Sequence, residues 1–190
     1  MHPILKRIHT DHTSALDGFL TQCGPQIEQV AAVCAKALAA GHKLMFCGNG
    51  GSACDAMHIA GEFVGRFVDD RRALPALALS ADTGILTAIA NDYAYDYIFA
   101  RQVEGLGQAG DVLIGLSTSG KSPNVLRAFE AARQKSITTV LFTGAKAEGL
   151  APSAEHTLVV PSRITAHVQE AHMVALHGLA SLIEAELFRA

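Results

Sequence analysis

The sequence predicts an α/β fold, a doubly wound parallel sheet of five strands wrapped by helices. Two observations predict it. Five short apolar runs, at residues 43–47, 76–80, 112–117, 138–143 and 156–160, each end in or near Gly, Ser or Thr. They are continuous rather than alternating, as in strands covered on both faces. Between them lie stretches with helical spacing, at residues 52–65, 83–90 with 96–106, and 122–135.

A helical extension over residues 1–41 precedes the first strand. Ile4, Leu5, Ile8, Leu16, Phe19 and Leu20 recur at helical spacing, and Ile27, Val30, Val33, Ala37 and Leu38 do so again. Pro25 suits a first helical turn and Gly41 the position just past an end, so two helices are expected, at about 3–20 and 25–40. The chain closes with a long helix over about 164–188. From Val168 to Ile183 its apolar side chains run nearly all the way round, so it is covered on more than one side. His167, Gln169, Glu170, His172 and His177 are the polar residues in it, and buried polar groups need partners. With no repeat or low-complexity tract, residues 1–190 read as one domain.

Composition narrows the function. Hydrophobic residues make up 49% of the chain and charged residues 17%. The mean hydropathy of +0.25 is high for a small monomer, so apolar surface buried between subunits is expected. A net charge of −3 argues against nucleic acid or an acidic membrane as partner. No apolar run is long enough to span a bilayer, and residues 1–12 lack the apolar core of a signal peptide, which points to the cytoplasm. Cys23, Cys34, Cys47 and Cys54 form no Cys-x-x-Cys pair and read as reduced thiols.

Ligands of such a sheet sit beyond the carboxyl ends of the strands. Two loops there have phosphate-binding chemistry. Gly48-Asn49-Gly50-Gly51-Ser52 lets the backbone approach a ligand, and Ser52 with Asp55 three residues on resembles a capping box. Ser117-Thr118-Ser119-Gly120-Lys121-Ser122 offers four hydroxyls, and Pro123 makes Ser122 the natural N-cap of a helix whose positive end faces the loop. Neither loop fits a nucleotide-binding pattern, so a small phosphoester is favoured over ATP or NAD.

His58 and Glu62, four apart on the helix leaving the first loop, share one face. Such a pair can hold a metal or move protons. Asn91-Asp92 stops a short helix at the same sheet edge and offers hydrogen bonds to sugar hydroxyls. Gln169 and His177 are eight residues apart, roughly 12 Å along one helix, too far to meet at one point from a single straight helix. They approach a site from different ends, or one comes from a neighbouring chain.

Taken together, residues 48–52, Cys54–Phe67, Leu86–Asp92, Ser117–Asn124 and Val168–His172 resemble the phosphoheptose isomerases, a family of the sugar-isomerase (SIS) fold. The likeness covers essentially the whole chain. It implies a five-stranded parallel sheet, a homotetramer with sites at subunit interfaces, and conversion of sedoheptulose 7-phosphate to D-glycero-D-manno-heptose 7-phosphate, the first step of ADP-heptose biosynthesis. It implies zinc at His58, Glu62, Gln169 and His177, with Glu62 and His177 catalytic. Substrate contacts fall on Asn49, Gly50, Gly51, Ser52, Glu62, Asn91, Asp92, Ser117, Thr118, Ser119, Ser122 and Gln169. Some relatives carry an acid where this chain has Gly61 or Ala166, differences that bear on the pH optimum. Two rivals stand beside this reading. One is an isomerase of five- or six-carbon sugar phosphates. The other is a non-catalytic SIS protein that binds a protein partner, against which the presence of Glu62 and His177 argues.

Overall fold

The computed structural model describes residues 1–149 and 153–189. In chain order the elements are α1 (Pro3–Ala39), β1 (Leu44–Gly48), α2 (Gly51–Val64), β2 (Ala76–Ala78), α3 (Thr83–Asp92), a 3-10 turn (Tyr95–Tyr97), α4 (Ala100–Leu106), β3 (Val112–Leu116), α5 (Pro123–Gln134), β4 (Thr138–Gly144), a second 3-10 turn (Ala145–Ala147), β5 (His156–Val160) and α6 (Thr165–Phe188). The five strands are parallel in the order β2-β1-β3-β4-β5. The expected doubly wound sheet is therefore found, with a reversal of strand order between β1 and β3.

Every residue of β1 and β3 is buried, which is why these runs show no polar alternation. On one face α1, α2 and α6 enclose a core that includes Phe19, Phe46, Phe63, Phe142 and Leu176. On the other, α4 and α5 close over Met45, Phe99, Val103, Leu113 and Phe129. Burying each such side chain contributes roughly 1.5–3 kcal/mol.

Three local expectations are corrected. The N-terminal extension is one helix of 37 residues with Pro25 inside it, not two. Its core stripe, Ala15, Phe19, Cys23, Ile27, Val30, Ala31, Cys34 and Leu38, stays in phase across the proline, and that continuous burial outweighs the lost N–H. The stretch before β3 is divided, a 3-10 turn followed by the seven-residue α4. The cap of α2 is Gly50, at φ 59° and ψ −124°, not Ser52. Ser52 is already inside the helix and buried, so no capping box with Asp55 forms.

Candidate active site

The loops after β1 and β3 flank the reversal of strand order, where open α/β sheets bind their ligands. In the first loop, Gly50 takes the left-handed φ of 59° that turns the chain into α2. Gly51 lies so close to Gln169 that a Cβ there would stand 2.6 Å from its Nε2. Gln169 donates that Nε2–H to Ser52 Oγ at 3.3 Å, tying α6 to the start of α2.

Asn49 is committed to protein partners. Its amide exchanges two hydrogen bonds with the amide of buried Asn124, at 2.9 and 2.8 Å, and its Oδ1 also accepts from the Tyr95 hydroxyl at 2.9 Å. The first loop is thus fastened to α5 and to the turn after α3. Sequence reasoning singled out neither Asn124 nor Tyr95 as site residues; Asn124, a polar residue in the first turn of α5, carried the available signal.

In the second loop Ser117 and Ser122 pair through their hydroxyls at 2.9 Å, and Ser119 Oγ accepts from the Lys121 N–H at 3.2 Å. Ser122 is the N-cap of α5, as expected, although its hydroxyl turns to Ser117 instead of the helix. Among the described residues, the N–H groups of Thr118, Ser119 and Ser122 reach no acceptor in the chain. With the positive end of α5 they form an anion-binding turn. Asn91 and Asp92 lie in the last turn of α3, exposed, with the Asn91 amide donating to Asp92 Oδ1 at 2.8 Å.

The acid–base residues collect between α2 and α6. These helices run side by side in the same direction, so Gln169 meets Ser52 while His177, two turns on, meets His58. The eight residues that separate Gln169 from His177 thus serve two points on α2 of the same chain. His58 Nε2 lies 3.0 Å from His177 Nε2 and 3.6 Å from Glu62 Oε1. Glu62 is 24% exposed at its side chain and His58 50%, so the cluster opens to solvent on one side. Asp55, one turn before His58, has a buried Oδ2 with no partner among the described residues. Burial raises its pKa, against the opposing pull of His58.

Zinc–nitrogen bonds of about 2.0–2.1 Å in a tetrahedron put two imidazole nitrogens about 3.3 Å apart, and an imidazole nitrogen about as far from a carboxylate oxygen. Both edges at His58 lie within about 0.3 Å of that, and the donors are of the type zinc takes. Gln169 is turned to Ser52, away from these three. Among the described residues, no three His, Cys, Asp or Glu side chains form a group that could hold a metal ion. The donor types and the two edges at His58 suit zinc, but the described residues of one chain do not form a complete zinc site.

A model of the SIS-domain family matches residues 10–144. The chain is 50% identical over 182 residues to a phosphoheptose isomerase of Geobacter sp. strain M21, covering 96% of this chain and 93% of that protein. It is 48% identical over 169 residues to one from Akkermansia muciniphila, covering 89% of each. The solved structure of a phosphoheptose isomerase from Neisseria gonorrhoeae superposes with a TM-score of 0.86 at 36% identity, covering 95% of this chain and 97% of that one. No described helix is long and apolar enough to cross a membrane. Likeness at this identity and coverage bears out the resemblance read from the motifs: the chain belongs to the phosphoheptose isomerase family of SIS-domain enzymes.

Proposed function

We propose that this isomerase converts sedoheptulose 7-phosphate to D-glycero-D-manno-heptose 7-phosphate through an enediol, supplying heptose for ADP-heptose biosynthesis. The observation that carries the reading is the meeting of His58 with Glu62 and with His177 between α2 and α6, in a chain that also carries the anion-binding turn 117–122. The names of the relatives favour the seven-carbon substrate.

The substrate phosphate sits in the second loop, on the N–H groups of Thr118 and Ser119 and the hydroxyls of Ser117, Ser119 and Ser122. Gly50, Gly51 and Ser52 bring backbone close to the sugar, and Asn49 holds that backbone in place. Asn91, Asp92 and Gln169 hold sugar hydroxyls. Gripping the far end of the chain fixes the reacting carbons and lowers the entropic part of the barrier. Glu62 takes the proton from C1 of the open-chain ketose, leaving the C1–C2 enediol, and returns a proton at C2. His177 carries the hydroxyl proton from O1 to O2, so the aldose forms with no net gain or loss of atoms. Zinc, for which His58, Glu62 and His177 are the proposed ligands, would supply Lewis-acid stabilisation of the charge that develops on the oxygens. We place the working enzyme in the cytoplasm as a homotetramer whose subunit contacts cover exposed apolar side chains such as Leu5, Ile8 and Leu20.

The test is incubation of the purified protein with sedoheptulose 7-phosphate, with and without a chelator, following aldose formation, beside five- and six-carbon sugar phosphates. The expected outcome is preferential turnover of the seven-carbon ketose. Glu62→Gln should lower that turnover by about a hundredfold or more with folding intact. Near-normal turnover in Glu62→Gln would remove Glu62 from the mechanism. Absence of turnover on every sugar phosphate would hand the site to a binding role.

A further inference from the structure

His177 is gripped from two directions. Its imidazole lies flat against the Phe67 ring, at 5.3 Å between centroids and 12° between planes. The His58 ring meets it edge-on, at 5.2 Å and 79°. An imidazole on a single side chain can rotate about two bonds; a flat neighbour removes most of that freedom. The direction of His177 Nε2 toward His58 is therefore set by where Phe67 stands.

Phe67 lies outside regular structure, in the segment that leaves α2, and a loop aromatic holds its place only if its backbone is anchored. The anchor is a carboxylate of α6. Glu184 accepts from the Phe67 N–H at 3.3 Å and the Val68 N–H at 3.4 Å. The same carboxylate pairs with Arg71 at 2.7 Å, both side chains being 2% exposed. Arg71 spends its other donors on the carbonyl end of α2: Glu62 O at 2.8 Å, Phe63 O at 2.9 Å and Gly65 O at 3.3 Å. Each charge in this enclosed pair is thus met by several hydrogen bonds, the condition under which a buried ion pair is tolerated. Glu184 lies two turns beyond His177 on the same side of α6. One buried pair therefore fixes the end of α2 that carries Glu62, the length of α6 that carries His177, and the loop that carries Phe67.

We propose that Phe67 is a positioning residue for His177, locked in register by the Arg71–Glu184 pair, and that it aims the imidazole for proton transfer. This rests on the isomerase reading above. Phe67 touches no reacting atom; it acts through the orientation of His177. Loss of the flat contact, with apolar bulk kept, lowers turnover and leaves phosphate binding alone, because the 117–122 turn stands apart from it.

The test compares wild type, Phe67→Leu and Phe67→Tyr as full-length proteins in their native assembly. Steady-state kinetics on sedoheptulose 7-phosphate are read beside the side-chain NMR signals of His177, assigned through His177→Gln. In Phe67→Leu, kcat is expected to fall roughly tenfold to a hundredfold, the range a small misplacement costs, with KM within about twofold by the same separation of binding from chemistry. The His177 signals should shift and broaden. Phe67→Tyr, which keeps the flat ring, should restore kcat to within about threefold of wild type. Three results overturn the proposal: unchanged kcat and unchanged His177 signals in Phe67→Leu, equal losses in the Leu and Tyr variants, or a loss confined to KM. A wild-type protein that yields no aldose overturns the isomerase reading instead, and the NMR comparison still decides whether Phe67 orders the imidazole.

Discussion

α6 turns polar side chains toward two different neighbours, and the two sides behave differently. Toward α2 and the segment that follows it, α6 sends Gln169, His177 and Glu184, which meet Ser52, His58 and Arg71. Toward the sheet it sends His172, fully buried, with Nε2 3.2 Å from the Thr143 carbonyl and the ring edge-on to Phe142. His172 and His177 are the same residue type five positions apart. Burial drives the first down to a pKa of about 4, with the Thr143 carbonyl opposing, and leaves it a neutral core group. The second stays half-buried between another imidazole and the Phe67 ring. Enclosure, not residue identity, separates a structural group from a chemical one here. Glu184 supports the same point on the α2 side, since it is enclosed like His172 and serves to hold rather than react.

The comparison breaks most visibly at Glu184. Replacing it with Ala leaves the Arg71 guanidinium enclosed and unpaired and frees the Phe67 and Val68 N–H groups. Breaking a buried pair of this kind costs about 3–5 kcal/mol. The expected outcome is a large drop in stability, read by denaturant unfolding. A loss near zero would mean that the pair is open to water in solution and that the two sides of α6 are not distinguished by enclosure.

A smaller effect should appear at His172, as a dependence on pH. Its folded pKa lies below the ordinary 6.5, so the unfolded chain binds the proton more readily. Above pH 6.5 both states are neutral at this site and nothing is gained or lost. As pH falls through the window from 6.5 to about 4, the unfolded state takes up a proton that the folded state refuses, and stability is lost. Each tenfold difference in proton affinity between the two states is worth about 1.4 kcal/mol, so the whole window amounts to about 3 kcal/mol. A His172→Gln variant, neutral throughout, should be less stable than wild type at pH 7.5, and the gap should narrow as the pH approaches 4. A constant gap between the two melting curves would show that His172 is free to protonate in the folded protein.

Much of this was legible in the chain because the signals are local. Strands covered on both faces must be continuously apolar, and the runs at 43–47 and 112–117 say so. The glycines and hydroxyls of the two loops mark where backbone must turn or meet an anion. His58 and Glu62 share a helix face by spacing alone. Groupings made through space were not legible. Arg71 and Glu184 are 113 positions apart, and nothing near either names the other. Asn49 reads as a substrate contact, and nothing in its spacing showed that Asn124 and Tyr95 would also meet its amide. Ser52 has the composition of a cap but is buried two residues past the cap position, because Gly50 turns the chain earlier. Gln169 matched a metal-ligand position by resemblance, and nothing in its spacing showed that its amide nitrogen would meet Ser52.

The smallest effect, and one of opposite sign, is expected on the third side of α6, where α1 packs against it. A local rule placed a helix start at Pro25, and tertiary burial overrode it. Pro25 is exposed, so its ring contributes little packing, while Cys23 and Ile27 on either side supply the buried stripe. A proline within a helix forfeits one hydrogen bond, here to the Thr21 carbonyl, and crowds that same carbonyl. Alanine restores the bond and relieves the crowding, a gain of up to about 3 kcal/mol by helix preference. Against this, the unfolded chain regains freedom that proline had removed, worth about 0.4–1 kcal/mol. The helix has already accommodated the ring, so only part of the preference is recovered, and a net stabilisation of about 1 kcal/mol is expected for Pro25→Ala. Turnover should not change, because the side of α6 that meets α2 is untouched. A destabilised Pro25→Ala would show that the proline shapes α1 to fit α6, and that this third side of the helix, too, depends on more than buried apolar contact.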